Sequence, residues 1–142
     1  MWFPGVHLDV GGGYPESESG LSKLSLVWMA QEARAAGILL DEDRLSQQLG
    51  VGNTTFARPD PCAKLHDSLV GVWRLAELVP RRYYVMGDAP RPQYRWKVPL
   101  GRRRFVADGS LVHDSVPARM ECVGAAYHPA NLPRVYTVVR SQ

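Results

Sequence analysis

The residues best suited to chemistry lie near the start of the chain, where His7 and Asp9 are followed by Gly11, Gly12 and Gly13. The ordinary pKa of an imidazole lies near neutrality, so His7 can accept a proton from a nucleophile and return it. Asp9 can hydrogen-bond a neighbouring backbone or orient a polar partner. Glycines permit positive φ and close approach of the backbone to a ligand. The segment therefore predicts a general-base histidine beside a loop that shapes the site.

Other chemistries fit this segment less well. A dinucleotide fingerprint starting at Gly11 needs a glycine where Glu16 stands, and no Walker A motif occurs. His7 and Asp9 could supply two metal ligands, but no third ligand lies nearby in the sequence, so we predict no metal and no cofactor. A histidine with a purely structural role, at a corner of the chain, is an equally good interpretation of this segment taken alone.

The other histidines, arginines and tryptophans favour structural interpretations. His66 and His113 precede predicted helix starts, and His128 lies in a predicted loop. The arginine run at 102–104 is typical of a solvated hairpin edge, with contact to anionic lipid headgroups as the lesser alternative. Packing rather than base stacking is predicted for Trp28, Trp73 and Trp96.

The composition is that of a globular protein, with 45% apolar and 22% charged residues. The net charge of +3 comes without a nucleic-acid-binding signature, so we predict no nucleic-acid partner. Two cysteines are too few for a disulfide framework and fit no zinc spacing, which favours a reducing compartment. There is no apolar run of membrane-spanning length and no signal peptide. We expect a cytoplasmic protein without a transmembrane segment, with secretion by a signal-peptide-independent route as the alternative.

Periodicity indicates which elements position His7. Residues 2–7 are typical of a short buried strand, and the three glycines predict a loop over 9–15. Apolar residues recur at helical spacing over 21–36, and Gly37 follows as a stop signal.

Further along the chain the pattern predicts smaller elements. In order they are a helix capped by Asp41 and closed by Gly50, a loop over 50–64, a helix over 68–78, strand-like stretches at 82–86, 94–98 and 102–107 that form a hairpin or meander, a helix over 116–122, and a last strand over 136–139.

The segment WFPGVHLDVGGGY at 2–14 resembles the large family of α/β-hydrolase-like proteins that includes phospholipase effectors of bacterial type VI secretion. Later blocks resemble that family in the expected order, so the resemblance covers nearly the whole chain. They are LHDSL at 65–69 with Trp73, VHDSV at 112–116 with Arg119 and Met120, and YHPANLP at 127–133.

The resemblance implies a serine hydrolase that cleaves ester bonds, with His7 as the triad base and the loop of Gly11, Gly12 and Gly13 beside it. Leu8 is a departure, because many members carry Ser at that position. The implied fold class is α/β, as the C-terminal fragment of an α/β-hydrolase-like fold. The last core strand, the histidine loop and the following helices occupy 1–50, and a small α+β accessory region with a β-hairpin occupies 51–142.

A nucleophile is missing from this sequence. No Gly-x-Ser-x-Gly elbow occurs, and Ser17 and Ser19 lack the strand–turn–helix context of one. A base without a nucleophile cannot form an acyl-enzyme, so we expect the chain to be inactive alone. Its expected partner is the upstream half of the hydrolase fold, in one longer chain or in trans, and its expected substrate is a lipid or another ester. The alternative is a non-enzymatic remnant that binds other proteins through exposed apolar faces.

Overall fold

A computed structural model describes residues 1–52, 55–68, 75–85, 93–101 and 103–140. The chain forms two compact units. The main unit comprises residues 1–66 and 106–142, and the hairpin unit comprises residues 67–105. The sequence predicts a boundary between two regions at residue 50. The two units of the structure are divided differently, because residues 106–142 belong to the unit that contains His7.

Three helices precede the strands of the hairpin unit, and a strand, a helix and another strand follow them. In chain order they are α1 (His7–Gly11), a 3-10 turn (Glu16–Glu18), α2 (Gly20–Ala35), α3 (Glu42–Gln48), β1 (Arg81–Val85), β2 (Gln93–Lys97), β3 (Ser110–His113), α4 (Ser115–Val123), a second 3-10 turn (Gly124–Ala126) and β4 (Tyr136–Val139).

The main unit contains a parallel sheet. Strands β3 and β4 pair in parallel and are joined through α4, which is the β-α-β arrangement of α/β proteins. Trp2 adds a parallel bridge to Val112, donating its N–H to the Leu111 carbonyl at 2.9 Å and accepting from the His113 N–H at 2.9 Å. The predicted strand over 2–7 is therefore found only as a bridge at Trp2, since His7 already begins α1.

Helix α2 forms where its apolar periodicity predicts a helix, and it packs against α1. The helix spans the predicted range to within one residue at each end, and Leu21 is buried. The Trp28 ring lies 5.7 Å from the ring of Phe3, just after the Trp2 bridge. Gly37 adopts φ 82° and the Ile38 N–H donates to the Ala33 carbonyl, a glycine-terminated helix end.

The prediction of a loop over 9–15 was wrong at its start, because a short helix extends to Gly11. Asp9 is the third helical residue, and its carboxylate accepts the N–H of Val6, the residue that caps the helix. The Asp9 carboxylate thus binds a backbone N–H that has no partner within the helix. This hydrogen bond offsets the low helix propensity of Gly11. Gly12 and Gly13 then take positive φ and end the helix.

Three other predicted elements of the main unit are confirmed. Asp41 caps α3 by accepting the Arg44 N–H at 3.0 Å, α4 covers the helix predicted over 116–122, and β4 is the strand predicted over 136–139. Strand β3 was missed, because its four residues are too short for a period to show.

A disulfide and a buried arginine attach α4 to the loop before the hairpin unit. Cys62 and Cys122 are joined in a disulfide that the sequence did not predict, because residues 60 apart in sequence meet only once the chain is folded. Arg119 is buried and donates to the carbonyls of Pro61 and Ala63, both at 2.6 Å. The loop is thereby held on both sides of Cys62.

The hairpin unit is built on antiparallel β1 and β2, which confirms two of the three predicted strands. The register pairs Arg81 with Lys97 and Tyr83 with Arg95. The third predicted strand was wrong, since residues 103–107 are irregular. Most of the helix predicted over 68–78, together with Trp73, lies outside the described residues. The prediction that Trp96 packs was also wrong, because it is 71% exposed.

Candidate active site around His7

His7 is the first residue of α1 and its side chain is exposed. Among the described residues no hydrogen bond, ion pair or ring contact involves this imidazole. The following glycines leave open space beside it, because a Cβ added at Gly11 or Gly12 meets no atom within 4 Å. An unengaged imidazole next to open backbone can reach a group that approaches from outside the chain.

Asp9 differs from His7 because its side chain is buried inside the main unit. Its Oδ2 accepts the Val6 N–H at 3.0 Å and the His66 N–H at 3.2 Å, and its Oδ1 lies 2.6 Å from Nδ1 of His66. Gly5 makes room for this carboxylate, since a Cβ there, at φ +111°, would lie 2.4 Å from Cβ of Asp9. Asp9 therefore orients the α1 backbone rather than the ring of His7.

His66 lies between two carboxylates. Its Nδ1 contacts Asp9, and its Nε2 lies 2.8 Å from Oε2 of Glu18. The ring also stacks on Tyr14, with centroids 3.5 Å apart. Hydrogen bonds to Glu18 and Asp9 raise the pKa of His66 above its ordinary value. Because each ring nitrogen faces a carboxylate oxygen, this arrangement stabilises the protonated form of the ring.

Lys64 completes this chain of charges through Glu18. Its Nζ lies 2.7 Å from Oε1 of Glu18, and hydrogen bonds from Lys64 and His66 lower the pKa of Glu18. We call Asp9, His66, Glu18 and Lys64 the carboxylate–histidine cluster. It connects α1, the first 3-10 turn and the loop at 64–66.

Of His7 and His66, only His7 can act as a base in this structure. His66 has no free nitrogen, because carboxylates occupy both sides of its ring. His7 is exposed, and no residue in the described part of the chain contacts its ring. The predicted site residues thus separate into an accessible imidazole with glycines beside it and a buried carboxylate that holds their backbone.

His113 has a structural place, as predicted. It is buried, stacks on Phe3 at 4.5 Å between ring centroids, and lies 2.8 Å through Nδ1 from Oγ of Ser115. The same nitrogen accepts the Ser115 N–H at the start of α4. Burial lowers the pKa of His113, and the Asp114 carboxylate, 3.2 Å from Nδ1, opposes this shift in part. His128 is exposed in a loop, also as predicted.

A surface groove of about 710 Å³ lies elsewhere in the main unit, at the start of α4. Its lining includes Leu24, Asp114, Ser115, Val138 and Arg140, and none of the predicted site residues. Within the described residues, no group of His, Cys, Asp and Glu is arranged to hold a metal ion. In the same part of the chain, no helix is long and apolar enough to cross a membrane.

The contacts of His66 and Glu18 could not be predicted from the sequence. His66 lies 57 residues from Asp9, and a contact at that distance has no local signal. The block at 65–69 did point to this position through its resemblance to the hydrolase-like family, but the resemblance does not show what the ring contacts.

Comparison with known proteins supports a relation over the first part of the chain. Residues 1–32 match the family described as the catalytic domain of Tle1-like phospholipase effectors of the type VI secretion system. The match contains His7, Asp9 and the glycine loop. Over this short stretch the chain is similar to phospholipase effectors. The later blocks of the resemblance lie outside the matched residues.

A second similarity is to an uncharacterized protein of Saccharomyces cerevisiae. It is 50% identical over 40 residues, which cover 26% of this chain and 6% of the yeast protein. The chain thus spans a small part of this relative's length. No solved structure matches the chain.

Proposed function

We propose that this chain supplies the general base, His7, of a serine hydrolase that cleaves lipid esters, and that the nucleophile and the triad acid come from another stretch of polypeptide. The observation that carries this proposal is the phospholipase match over residues 1–32, which coincides with the exposed His7 at the start of α1. The fold class proposed with it is the C-terminal part of an α/β-hydrolase-like fold, which the parallel β3–β4 pair supports.

In this mechanism His7 removes the proton from an incoming serine hydroxyl as the oxygen attacks the ester carbonyl. The resulting imidazolium then gives that proton to the leaving alcohol, and a second cycle with water frees the acyl group. A Cβ added at Gly11 or Gly12 meets no atom within 4 Å, and the chain that carries the serine would approach on this side of the loop. Asp9 and His66 are positioning residues, since they hold the first turn of α1 and with it the backbone of His7.

The test joins the chain to the polypeptide encoded upstream of Met1, by fusion or co-expression, and measures hydrolysis of a short-chain fatty acyl ester and of a phospholipid. We expect no turnover by the chain alone and measurable turnover by the joined protein. His7→Ala should lower kcat by about 10²- to 10⁴-fold, the usual contribution of a general base.

The matched control is His128→Ala, which removes an exposed histidine in a loop of the same unit. Turnover in this variant should equal that of the parent protein. Equal activity in His7→Ala and the parent would reject the role of His7. If the two parts bind each other tightly but hydrolyse neither substrate, the non-enzymatic interaction module would be favoured instead.

A further inference from the structure

The Cys62–Cys122 disulfide lies where a thiol in solution can reach it. Cys62 belongs to the loop that follows α3, Cys122 lies in the last turn of α4, and both residues are exposed. A disulfide breaks when a thiolate attacks one of its sulfurs, so the rate depends on access to them. Exposure therefore leaves this crosslink open to reduction and to re-formation while the chain is folded.

The loop that carries Cys62 also carries the two basic side chains of the carboxylate–histidine cluster, Lys64 and His66. Both of them contact Glu18, and His66 also contacts Asp9. The crosslink keeps this loop on α4, and it thereby limits how far the two side chains can move from their carboxylates.

Arg119 is the other attachment of α4 to this loop. Apart from the disulfide, the hydrogen bonds that the structure describes between α4 and the loop come from this side chain, which donates to the carbonyls of Pro61 and Ala63. Arg119 is buried, and in the described part of the chain no carboxylate pairs with it and its Nε has no hydrogen-bond partner. Its guanidinium lies 5.1 Å from the centroid of the Tyr127 ring. A buried cation without a carboxylate retains much of its desolvation cost, so Arg119 holds the loop weakly once the covalent bond is gone.

Reduction of the crosslink is a two-electron exchange with thiols. The thiolate of a small thiol attacks one sulfur, the other sulfur leaves as a thiolate and takes a proton, and a second thiol then resolves the mixed disulfide. Cys62 and Cys122 end as thiols, and the two reductant molecules end joined as a disulfide. The reverse exchange with oxidised glutathione restores the crosslink.

We propose that the disulfide is a thiol-responsive lock on the carboxylate–histidine cluster. The lock is closed in an oxidising compartment, and a thiol of the glutathione type opens it and loosens the loop at 64–66 and the first turn of α1. Cytosolic thiols are kept reduced, whereas secreted proteins keep their disulfides. The lock therefore gives the chain different states in the cytoplasm and after secretion, the two locations that the sequence leaves as alternatives. This inference needs no catalysis, and only its effect on turnover by His7 rests on the proposed function.

The test equilibrates the full chain in buffers that range from reduced to oxidised glutathione. Thiol labelling gives the fraction of reduced disulfide, and NMR follows the amide protons of Val6 and His66, which both bind Asp9. We expect these protons to exchange at least about tenfold faster in the reduced chain, because the cluster opens at a lower free-energy cost without the crosslink. The raised pKa of His66 should fall towards its ordinary value as its carboxylate contacts loosen. Re-oxidation should reverse both changes.

Two groups of the main unit serve as controls. The Arg44 N–H donates to Asp41 at the exposed start of α3, and the His113 ring is buried on β3. Exchange of this N–H should stay within about twofold, because it opens locally, and the titration of His113 should not change. Cys62→Ser combined with Cys122→Ser should match the reduced chain at every glutathione ratio.

Equal acceleration of the Arg44 proton and the cluster protons would mean that the disulfide only maintains the whole fold, which would overturn the lock. Unchanged exchange at Val6 and His66 in the fully reduced chain would also overturn it, as would a disulfide that glutathione does not reduce at any ratio. None of these measurements uses turnover, so failure of the lock is distinguished from failure of the role proposed for His7.

Discussion

The main unit and the hairpin unit use their charged groups in different ways. In the main unit Asp9, Glu18 and Lys64 are bound within the carboxylate–histidine cluster, whose members come from distant parts of the sequence. In the hairpin unit Glu77 contacts Arg81 four residues away and accepts the Gly101 N–H at 2.9 Å, whereas Arg95 and Lys97 are exposed. One unit uses charge to hold its chain together, and the other presents charge to its surroundings.

The largest difference should appear when the disulfide of the main unit is removed. Cys62→Ser combined with Cys122→Ser should lower the free energy of unfolding by about 4 kcal/mol, as expected for a crosslink between residues this far apart. Urea denaturation measures the loss. The matched test in the hairpin unit is Arg95→Gln combined with Lys97→Gln, which should change stability by no more than about 0.5 kcal/mol. A similar loss in both variants would remove the distinction between the units.

A smaller effect is expected where Gly5 makes room for Asp9. Gly5→Ala should destabilise the protein by about 2–4 kcal/mol, because the new Cβ overlaps the Asp9 side chain and positive φ disfavours alanine. Gly11→Ala is the control, since its Cβ meets nothing within 4 Å and its φ is not positive. That variant should be as stable as the parent or slightly more stable. If thermal denaturation gives the same midpoint for both variants, the packing of Asp9 does not constrain α1.

The smallest effect is a dependence of stability on pH. The pKa of His66 is raised in the folded protein, so its contribution is complete below about 6.5, its unfolded value, and is lost as pH rises through the folded value. The pKa of His113 is lowered, so its contribution is present above about 6.5 and is lost as pH falls. Unfolding free energies measured across pH 5–9 should therefore be greatest near neutrality.

His66→Gln isolates the alkaline side of this profile. The variant should be less stable than the parent below neutrality and should lose the decline that the parent shows as pH rises. If the free energy of unfolding of this variant still declines as pH rises, another group is responsible for the decline. The hairpin unit contains no histidine and should contribute nothing to either side.

Much of the local structure could be predicted from the sequence, and little of the tertiary structure. Helix α2 shows itself through apolar spacing and Gly37, and the Asp41 cap of α3 is equally local. The contacts of Asp9 with His66 and of Cys62 with Cys122 have no such signal, because each joins residues more than fifty positions apart. The accessible His7 was identified from its neighbours and from family resemblance. That His66 holds the backbone around His7 through Asp9 could be learned only from the fold.

The disulfide also determines what happens if the chain is cut. Both cysteines belong to the main unit, and the whole hairpin unit lies between them in sequence. A protease that nicks the polypeptide anywhere in 67–105 therefore leaves two fragments that stay covalently linked until a reductant separates them. The hairpin unit can therefore be cut while the His7 segment and the β3–β4 sheet remain covalently linked.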